Sequence, residues 1–385
     1  MMNIKKKLKE MYYNLPIKFL LKNYILLDSN PVMCDNAYYV YKELIARKIN
    51  EKYKLIWFIK DDTELRVVED KNVIFVSRQR KWKILYYNFF AKYILDCNWF
   101  IPKVNKYQCR IHLSHGCPVK LMDEYYKKSG KMDLIISLGD FWSEVYKKVY
   151  EKLNLLDSVE ETGFPRNDTF FTEKEQINFY PNIRREKTIL WLPTYRNHKA
   201  LRNDAQYTGI TFPLGIPCFS DINQLNELNA DLRNRSILLI IKPHPAQDLN
   251  EIKKFELSNI KIIDDSYFEE TTNLYNYLPL IDALITDYSS VYWDFLLADK
   301  PIGLAIPDLE EYSKHVMMPY EYKEAVIGDY LYNYEDLVSF IADISNSNDN
   351  KRVERKRIID KYHKYQDGNS SKRVVDLLVK KMNEK

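Results

Sequence analysis

Glycine is scarce in this chain: 9 residues in 385, about 2% where ~7% is usual. No two glycines stand closer than Gly209 and Gly215. That spacing excludes the G-x-G-x-x-G turn and the P-loop, which both need clustered glycines. A nucleotide or phosphate site would have to be built another way. Cysteine is thin as well. Cys34, Cys97, Cys109, Cys117 and Cys218 are odd in number and form no C-x-x-C pair. This argues against a disulfide framework and a zinc ribbon. Without a secretory signal pattern, a reducing, cytosolic setting fits best. Long apolar runs are missing too. The best near the N-terminus, Ile17 to Leu27, is broken by Lys18 and Lys22 and is too short and charged to span a bilayer. No His, Cys, Asp and Glu cluster has metal-ligand spacing. No G-x-S-x-G nucleophile elbow occurs. Neither a metal nor a cofactor is expected.

What is present describes a soluble globular protein. The chain is 46% hydrophobic and 29% charged, with 31 tyrosines. Its length suits two or three domains at roughly 150 residues each. The net charge of +4 hides an asymmetry. Residues 1–22 carry +5 and residues 351–385 carry +7, leaving −8 on the stretch between. A nucleic-acid binder would spread positive charge across its body. Basic ends on an acidic body suit an anionic lipid surface, or equally a pair of solvated helical faces.

Short apolar runs alternate with helical patterns. Strands are expected at 24–28, 54–59, 72–76, 92–97, 109–114, 133–138 and 158–162. Helices are expected at Asn36–Lys48, Trp82–Phe90 and about Phe141–Leu153. After a polar break near 172–187, strands resume at 188–193, 237–242, 259–264, 282–286 and 301–306, and a helix closes the chain at Ser370–Asn383. Strands separated by helices imply parallel, doubly wound sheets. Two such halves predict an α/β chain of two facing Rossmann-like domains with a cleft between. The last helix could pack back on either.

Ligands of open α/β sheets bind beyond the carboxyl ends of the strands. Five segments there are rich in reactive side chains. His115-Gly116 follows one strand; histidine titrates near neutrality and can take a proton from a hydroxyl. His112 falls on the opposite strand face, so the two do not form a metal pair. Arg166, in the turn Gly163–Asp168, is expected to project a planar fork onto phosphate. Thr194 and Arg196 lie in a polar, cationic loop. Lys242, Pro243, His244 and Pro245 form a stiff loop, since proline fixes φ. Asp287, Tyr288, Ser289 and Ser290 open a helix whose first turn would offer N–H groups to an anion. Each segment alone also reads as ordinary structure: a buried histidine, a surface turn, a strand cap or a well-capped helix. Together they suit a diphosphate substrate and an acid/base step.

In this order the segments read HGCPVK (115–120), GFPRND (163–168), LPTYR (192–196), IKPHP (241–245) and ITDYSSVYWDF (285–295). Over about residues 24–380 the chain resembles the CDP-glycerol glycerophosphotransferase family of teichoic-acid synthesis. Further matches are ADKPI (298–302), DLEEY (308–312), 320–330 and 365–376. The chain departs from the family pattern at Cys117, Val119, Phe164 and Lys242, the last standing where an arginine is more usual.

The resemblance implies a GT-B fold and transfer of glycerol phosphate from CDP-glycerol to a hydroxyl of a lipid-linked acceptor, releasing CMP. An undecaprenyl-diphosphate-linked saccharide at the cytoplasmic face of the membrane is the implied acceptor. It implies His115 as general base and His244 as the group stabilising phosphate charge. Gly116, Lys120, Arg166, Asn167, Asp168, Pro193, Thr194, Arg196, Lys242, Thr286, Asp287, Tyr288, Ser289, Ser290 and Asp294 are the implied substrate-binding residues. Asp287 would orient a loop or a donor hydroxyl rather than react. The implied division is a basic segment at 1–23, an acceptor domain at 24–178, a CDP-alditol domain at 179–365 and a C-terminal helix at 366–385. CDP-ribitol as donor, a nucleotide-sugar GT-B transferase and a non-catalytic membrane-surface adaptor are the alternatives.

Overall fold

The computed structural model describes residues 11–61, 68–98, 101–121, 126–173, 180, 182–195, 212–244, 252, 255–264, 267 and 273–384. The chain divides into two compact units, each built on one parallel sheet.

The first unit takes Met1–Cys117, Met122–Phe171 and Lys361–Lys385. Its strands are β1 (Lys22–Asp28), β2 (Lys54–Ile59), β3 (Val73–Ser77), β4 (Ala91–Asp96), β5 (Cys109–His112), β6 (Met132–Ser137) and β7 (Leu156–Glu161). They lie in the order β3-β2-β1-β4-β5-β6-β7, every pair parallel. Parallel strands are covered on both faces and so must be apolar throughout. The run Leu55–Ile59 of β2 obeys this, with every side chain buried. The crossovers carry α1 (Asp35–Ala46), α2 (Lys81–Phe90) and α3 (Asp140–Glu151). In α3 the stripe Trp142, Val145, Tyr146, Val149 and Tyr150 is buried, while Glu144, Lys147 and Lys148 face solvent.

The second unit takes Pro118–Leu121 and Thr172–Asp360. Its strands are β8 (Lys187–Trp191), β9 (Ile237–Ile241), β10 (Ile260–Ile262), β11 (Ala283–Thr286), β12 (Ile302–Ala305) and β13 (Asp329–Leu331). Their order is β10-β9-β8-β11-β12-β13, again all parallel. Around the sheet run α4 (Ile222–Asn234), α5 (Val291–Phe295), α6 (Tyr334–Ser345) and α7 (Arg352–Tyr362). Asp221 and Asn333 cap α4 and α6 by accepting from their first N–H groups.

Counted from its own first strand, each sheet begins 3-2-1-4-5-6, the doubly wound Rossmann order. The order of the strands reverses, with their direction kept, between β1 and β4 in one unit and between β8 and β11 in the other. The strands fall within about two residues of their expected places, a margin usual for element ends. β13 is a strand beyond those expected from the sequence. Asp-Tyr-Leu is too short to make a pattern, and only its register against Gly303–Ala305 defines it.

The C-terminal helix α8 (Ser370–Asn383) crosses back to the first unit. Gly163 makes room for it. Its φ is +74°, and a Cβ there would stand 2.5 Å from Ser370 Oγ. Asp168 accepts from the N–H groups of Ser370 and Ser371, both at 2.8 Å, and so caps the helix.

Candidate active site

In the first unit β4 and β5 end side by side, Asp96 opposite His112. Beneath the loop that follows lies a buried charged group. Arg110 donates to the Asp96 carboxylate at 2.9 and 3.2 Å, and His112 Nδ1 stands 3.4 Å from it. Burial alone would raise the Asp96 pKa, but the Arg110 and His112 beside it override this and hold it below the usual range. Burial pushes His112 down, which keeps it neutral at pH 7. Asp28, at the end of β1, pairs with Arg78; burial outweighs that pairing and pushes it up to about 7.

The loop itself turns sharply. Ser114 has a φ of +55° and Gly116 a φ of 150°. Ser114 Oγ donates to the Gly116 carbonyl at 2.6 Å, and the Tyr146 hydroxyl reaches the same oxygen at 3.1 Å. Between them His115 is exposed. Its Nδ1–H donates to the Cys97 carbonyl at 3.2 Å. A carbonyl can only accept, so the neutral ring carries its lone pair on Nε2.

Asn36, at the start of α1, reaches two other parts of the chain through three hydrogen bonds. Its Nδ2 donates to the carbonyls of Leu113 (2.8 Å) and Ser114 (3.0 Å), and its Oδ1 accepts from the Arg166 N–H at 3.0 Å. Arg166 does not project as a phosphate fork. It is 2% exposed, lies over the Phe164 ring, and donates through Nη1 to Asp35 Oδ1 and the His115 carbonyl, both at 2.8 Å. Asn167 and Asp168 are buried as well, the latter engaged by α8. Burial, working against its two N–H partners, raises the Asp168 pKa.

In the second unit the loops after β8 and β11 meet at the reversal of strand order. Asp287 is buried, and its carboxylate accepts from the N–H groups of Thr194 (2.9 and 3.1 Å) and Tyr288 (2.6 Å) and from the Thr194 hydroxyl. Its carbonyl accepts from the Tyr322 hydroxyl at 2.8 Å. Thr286 Oγ1 donates to the Leu192 carbonyl at 3.1 Å. Asp294 is fully buried and accepts from the Tyr275 hydroxyl at 2.9 Å. Tyr288 stacks on Tyr312 with ring centroids 3.7 Å apart. Lys120 Nζ stands 5.7 Å from the Tyr312 centroid.

Groups with surface remain at this edge. Ser289, Ser290, Thr194 and Lys242 are half-buried, Pro193 is buried, and His244 is exposed. The Tyr195 ring stacks on that of His244 at 5.6 Å and 14°. The helix that Ser289 and Ser290 lead into, α5, has only five residues before a 3-10 turn. Arg196 and Pro245 lie outside the described residues.

The structure thus gathers Thr194, Lys242, His244, Ser289 and Ser290 at one sheet edge and His115 at the other unit's sheet edge. Asp287, Tyr288 and Asp294 are buried supports. No motif in the sequence marks Asn36, Cys97 or Tyr195. Asn36 looks like an ordinary helix-start residue, Cys97 acts through its backbone carbonyl, and Tyr195 stands between the more polar Thr194 and Arg196. Among the described residues no group of three His, Cys, Asp or Glu is placed to hold a metal.

Residues 10–380 match the profile of the CDP-glycerol:poly(glycerophosphate) glycerophosphotransferase family. The teichoic acid poly(glycerol phosphate) polymerase of Bacillus spizizenii is 25% identical over 373 residues, covering 88% of this chain and 87% of that protein. The teichoic acid ribitol-phosphate primase of the same organism is 29% identical over 226 residues, covering 56% of this chain and 51% of that protein. The chain therefore aligns along most of the first relative and about half of the second. The wall teichoic acid polymerase TagF superposes with a TM-score of 0.72 at 19% identity, covering 98% of this chain and 92% of that one. A putative UDP-N-acetylglucosamine 2-epimerase from Listeria monocytogenes superposes with a TM-score of 0.56 at 13% identity, covering 94% of this chain and 98% of that one. The architecture is GT-B. Because a nucleotide-sugar enzyme shares it, the fold alone does not select a substrate.

Proposed function

The chain belongs to the CDP-glycerol:poly(glycerophosphate) glycerophosphotransferase family, and from that premise we propose that it transfers glycerol phosphate from CDP-glycerol to a hydroxyl of a lipid-linked acceptor in teichoic-acid or capsule-type polymer synthesis. The observation that carries this is His115: exposed at a strand end, with Nδ1–H held by the Cys97 carbonyl and the lone pair therefore on Nε2. Nε2 takes the proton of the acceptor hydroxyl. The oxygen so freed attacks the β-phosphorus of the donor, and the bond from that phosphorus to the bridging oxygen breaks, releasing CMP. His244 and Lys242 stabilise the phosphate charge. Thr194, Ser289 and Ser290 offer hydroxyl and N–H donors to the diphosphate. Fixed donors of this kind are typically worth about 100-fold or more in rate. The buried Asp287 orients the loop that presents them.

The ribitol-phosphate primase among the relatives supports CDP-ribitol as a second donor reading. Offering CDP-glycerol, CDP-ribitol and UDP-sugars side by side with a lipid-linked disaccharide, then weighing the product, separates the readings. CMP with a product heavier by glycerol phosphate is expected. Activity with UDP-sugars alone would overturn the assignment, and no turnover with any donor would favour the adaptor.

We place the protein at an anionic membrane surface. No helix among the described residues is long and apolar enough to cross a bilayer. Instead α2 exposes Trp82 (84%), Leu85 and Tyr86 beside the exposed Arg80, Lys81 and Lys83. Phe19 (81% exposed) and Leu20 lie just before Lys22, whose Nζ donates to the Tyr86 hydroxyl at 2.6 Å. Aromatic and basic side chains on one face suit the headgroup layer of anionic lipid. Flotation with anionic liposomes tests this. Trp82→Ala/Leu85→Ala should weaken binding more than removal of residues 1–10, and unchanged binding in both would remove the membrane from the account.

A further inference from the structure

The loop that carries His115 is held in a conformation it would not adopt alone. Ser114 sits at φ +55°, where a residue with a Cβ is unfavourable. Such strain persists only where surrounding contacts over-determine it. Here the contacts can be named. The Asn36 amide is fully buried and holds the two carbonyls before His115. The Arg166 guanidinium holds the carbonyl of His115 itself. The two are joined, because Asn36 Oδ1 accepts from the Arg166 N–H and the adjacent Asp35 carboxylate accepts from Arg166 Nη1. Three consecutive carbonyls, 113 to 115, are thus tied to α1 and to the Gly163–Asp168 turn.

This grip has a consequence for the imidazole. The Nδ1–H to Cys97 contact, at 3.2 Å, is a weak bond. It survives only if the His115 backbone stays where the carbonyl clamp puts it. Losing that bond would let the ring take the Nε2–H tautomer that a free imidazole prefers. A ring protonated at Nε2 has no lone pair there to receive a hydroxyl proton.

We infer that Asn36 and Arg166 are positioning residues for the base: together they clamp the His115 loop and thereby fix the ring's tautomer and aim, so the arginine acts on the loop rather than on substrate phosphate. The inference rests on His115 being the base. Two-bond proton–nitrogen NMR of the ¹⁵N-labelled full chain reads the tautomer without any turnover. The His115 signals are assigned by their loss in His115→Ala. Wild type should show the Nδ1–H form. Asn36→Ala should show a mixture rich in Nε2–H, and Arg166→Lys, which keeps a cation but loses the planar, pre-organised guanidinium that donates to Asp35 and to the His115 carbonyl, a smaller admixture.

In the transfer assay the same variants should lose kcat, about 10- to 100-fold for Asn36→Ala and less for Arg166→Lys. KM for CDP-glycerol should stay within about 2-fold, since misaiming a base costs rate rather than binding. Thermal melting and CDP-glycerol binding confirm that each variant is folded. If folded variants keep the wild-type tautomer and kcat, the clamp is not a positioning device. If the tautomer shifts while His115→Ala still turns over, the clamp stands and the role of His115 as base falls.

Discussion

The two units share a strand order but hold their functional loops by opposite means. In the first, the end of the sheet is packed with charge: Asp96 and Arg110 are fully buried, and Arg166 nearly so. The Asn36 amide and the Arg166 guanidinium, itself held by the Asp35 carboxylate, grip the backbone carbonyls around His115. In the second, one carboxylate, Asp287, ties the loops, and rings do the rest: Tyr288 on Tyr312, Tyr322 at the edge of Tyr288, Tyr195 on His244. Buried ion pairs are specific in direction but costly to desolvate. Stacked rings are cheaper to bury and tolerate small shifts. On the roles proposed above, the difference suits a His115 that must be aimed at one proton and a His244 that must only face phosphate charge.

Four experiments would break or sharpen this contrast. The largest effect is expected at the histidines. His115→Ala should slow CMP release about 10³-fold, as loss of a general base does, and His244→Ala about 100-fold. Equal, small losses would erase the distinction between the two proposed roles. Next comes stability. Arg166→Ala leaves the half-buried Asp35 and the His115 carbonyl without this donor and should cost about 3 kcal/mol in urea unfolding. Lys242→Ala, at a half-buried strand end, should stay within about 0.5 kcal/mol and instead raise KM for the donor.

A smaller effect concerns pH. Asp28 keeps its proton up to about 7 in the folded chain, against 3.8 for an ordinary carboxyl. The native state then binds more protons than the unfolded one between those values. The contribution of Asp28 to stability should therefore fall as pH rises from about 4 to about 7. Asp28→Asn should flatten that slope, and an unchanged slope would assign it to other groups. The smallest effect is at the ring stack. Tyr195→Leu should lower kcat/KM by up to about 10-fold, the worth of one aromatic pair, while Tyr195→Phe should stay near wild type.

Much of this was legible in the chain. The β2 run 54–59 and helix Ser370–Asn383 could be read to the residue, because apolar periodicity reports burial directly. The segments after the strands lie at the carboxyl edges of both sheets, as their place in the sequence implies, and open α/β sheets place ligands at such edges. What could not be read was the direction of each side chain. Arg166 and Asp168 stand two positions apart in one motif, and both looked like ligands. One folds under the His115 loop, and the other turns to meet a helix 202 residues further on. Asn36 gave no sign at all, since its partners lie 77 to 130 positions away.

The scarcity of glycine is where the two kinds of information part. By itself the sequence determined that no glycine-rich cradle exists, that two α/β halves follow one another, and that histidines and cations end their strands. These are local properties of composition and period. Only the tertiary structure decided which polar side chains face out and which hold the frame. A carboxylate or guanidinium in a low-dielectric interior must find its partner wherever the fold brings one, and that partner is set by packing rather than by neighbourhood in the chain.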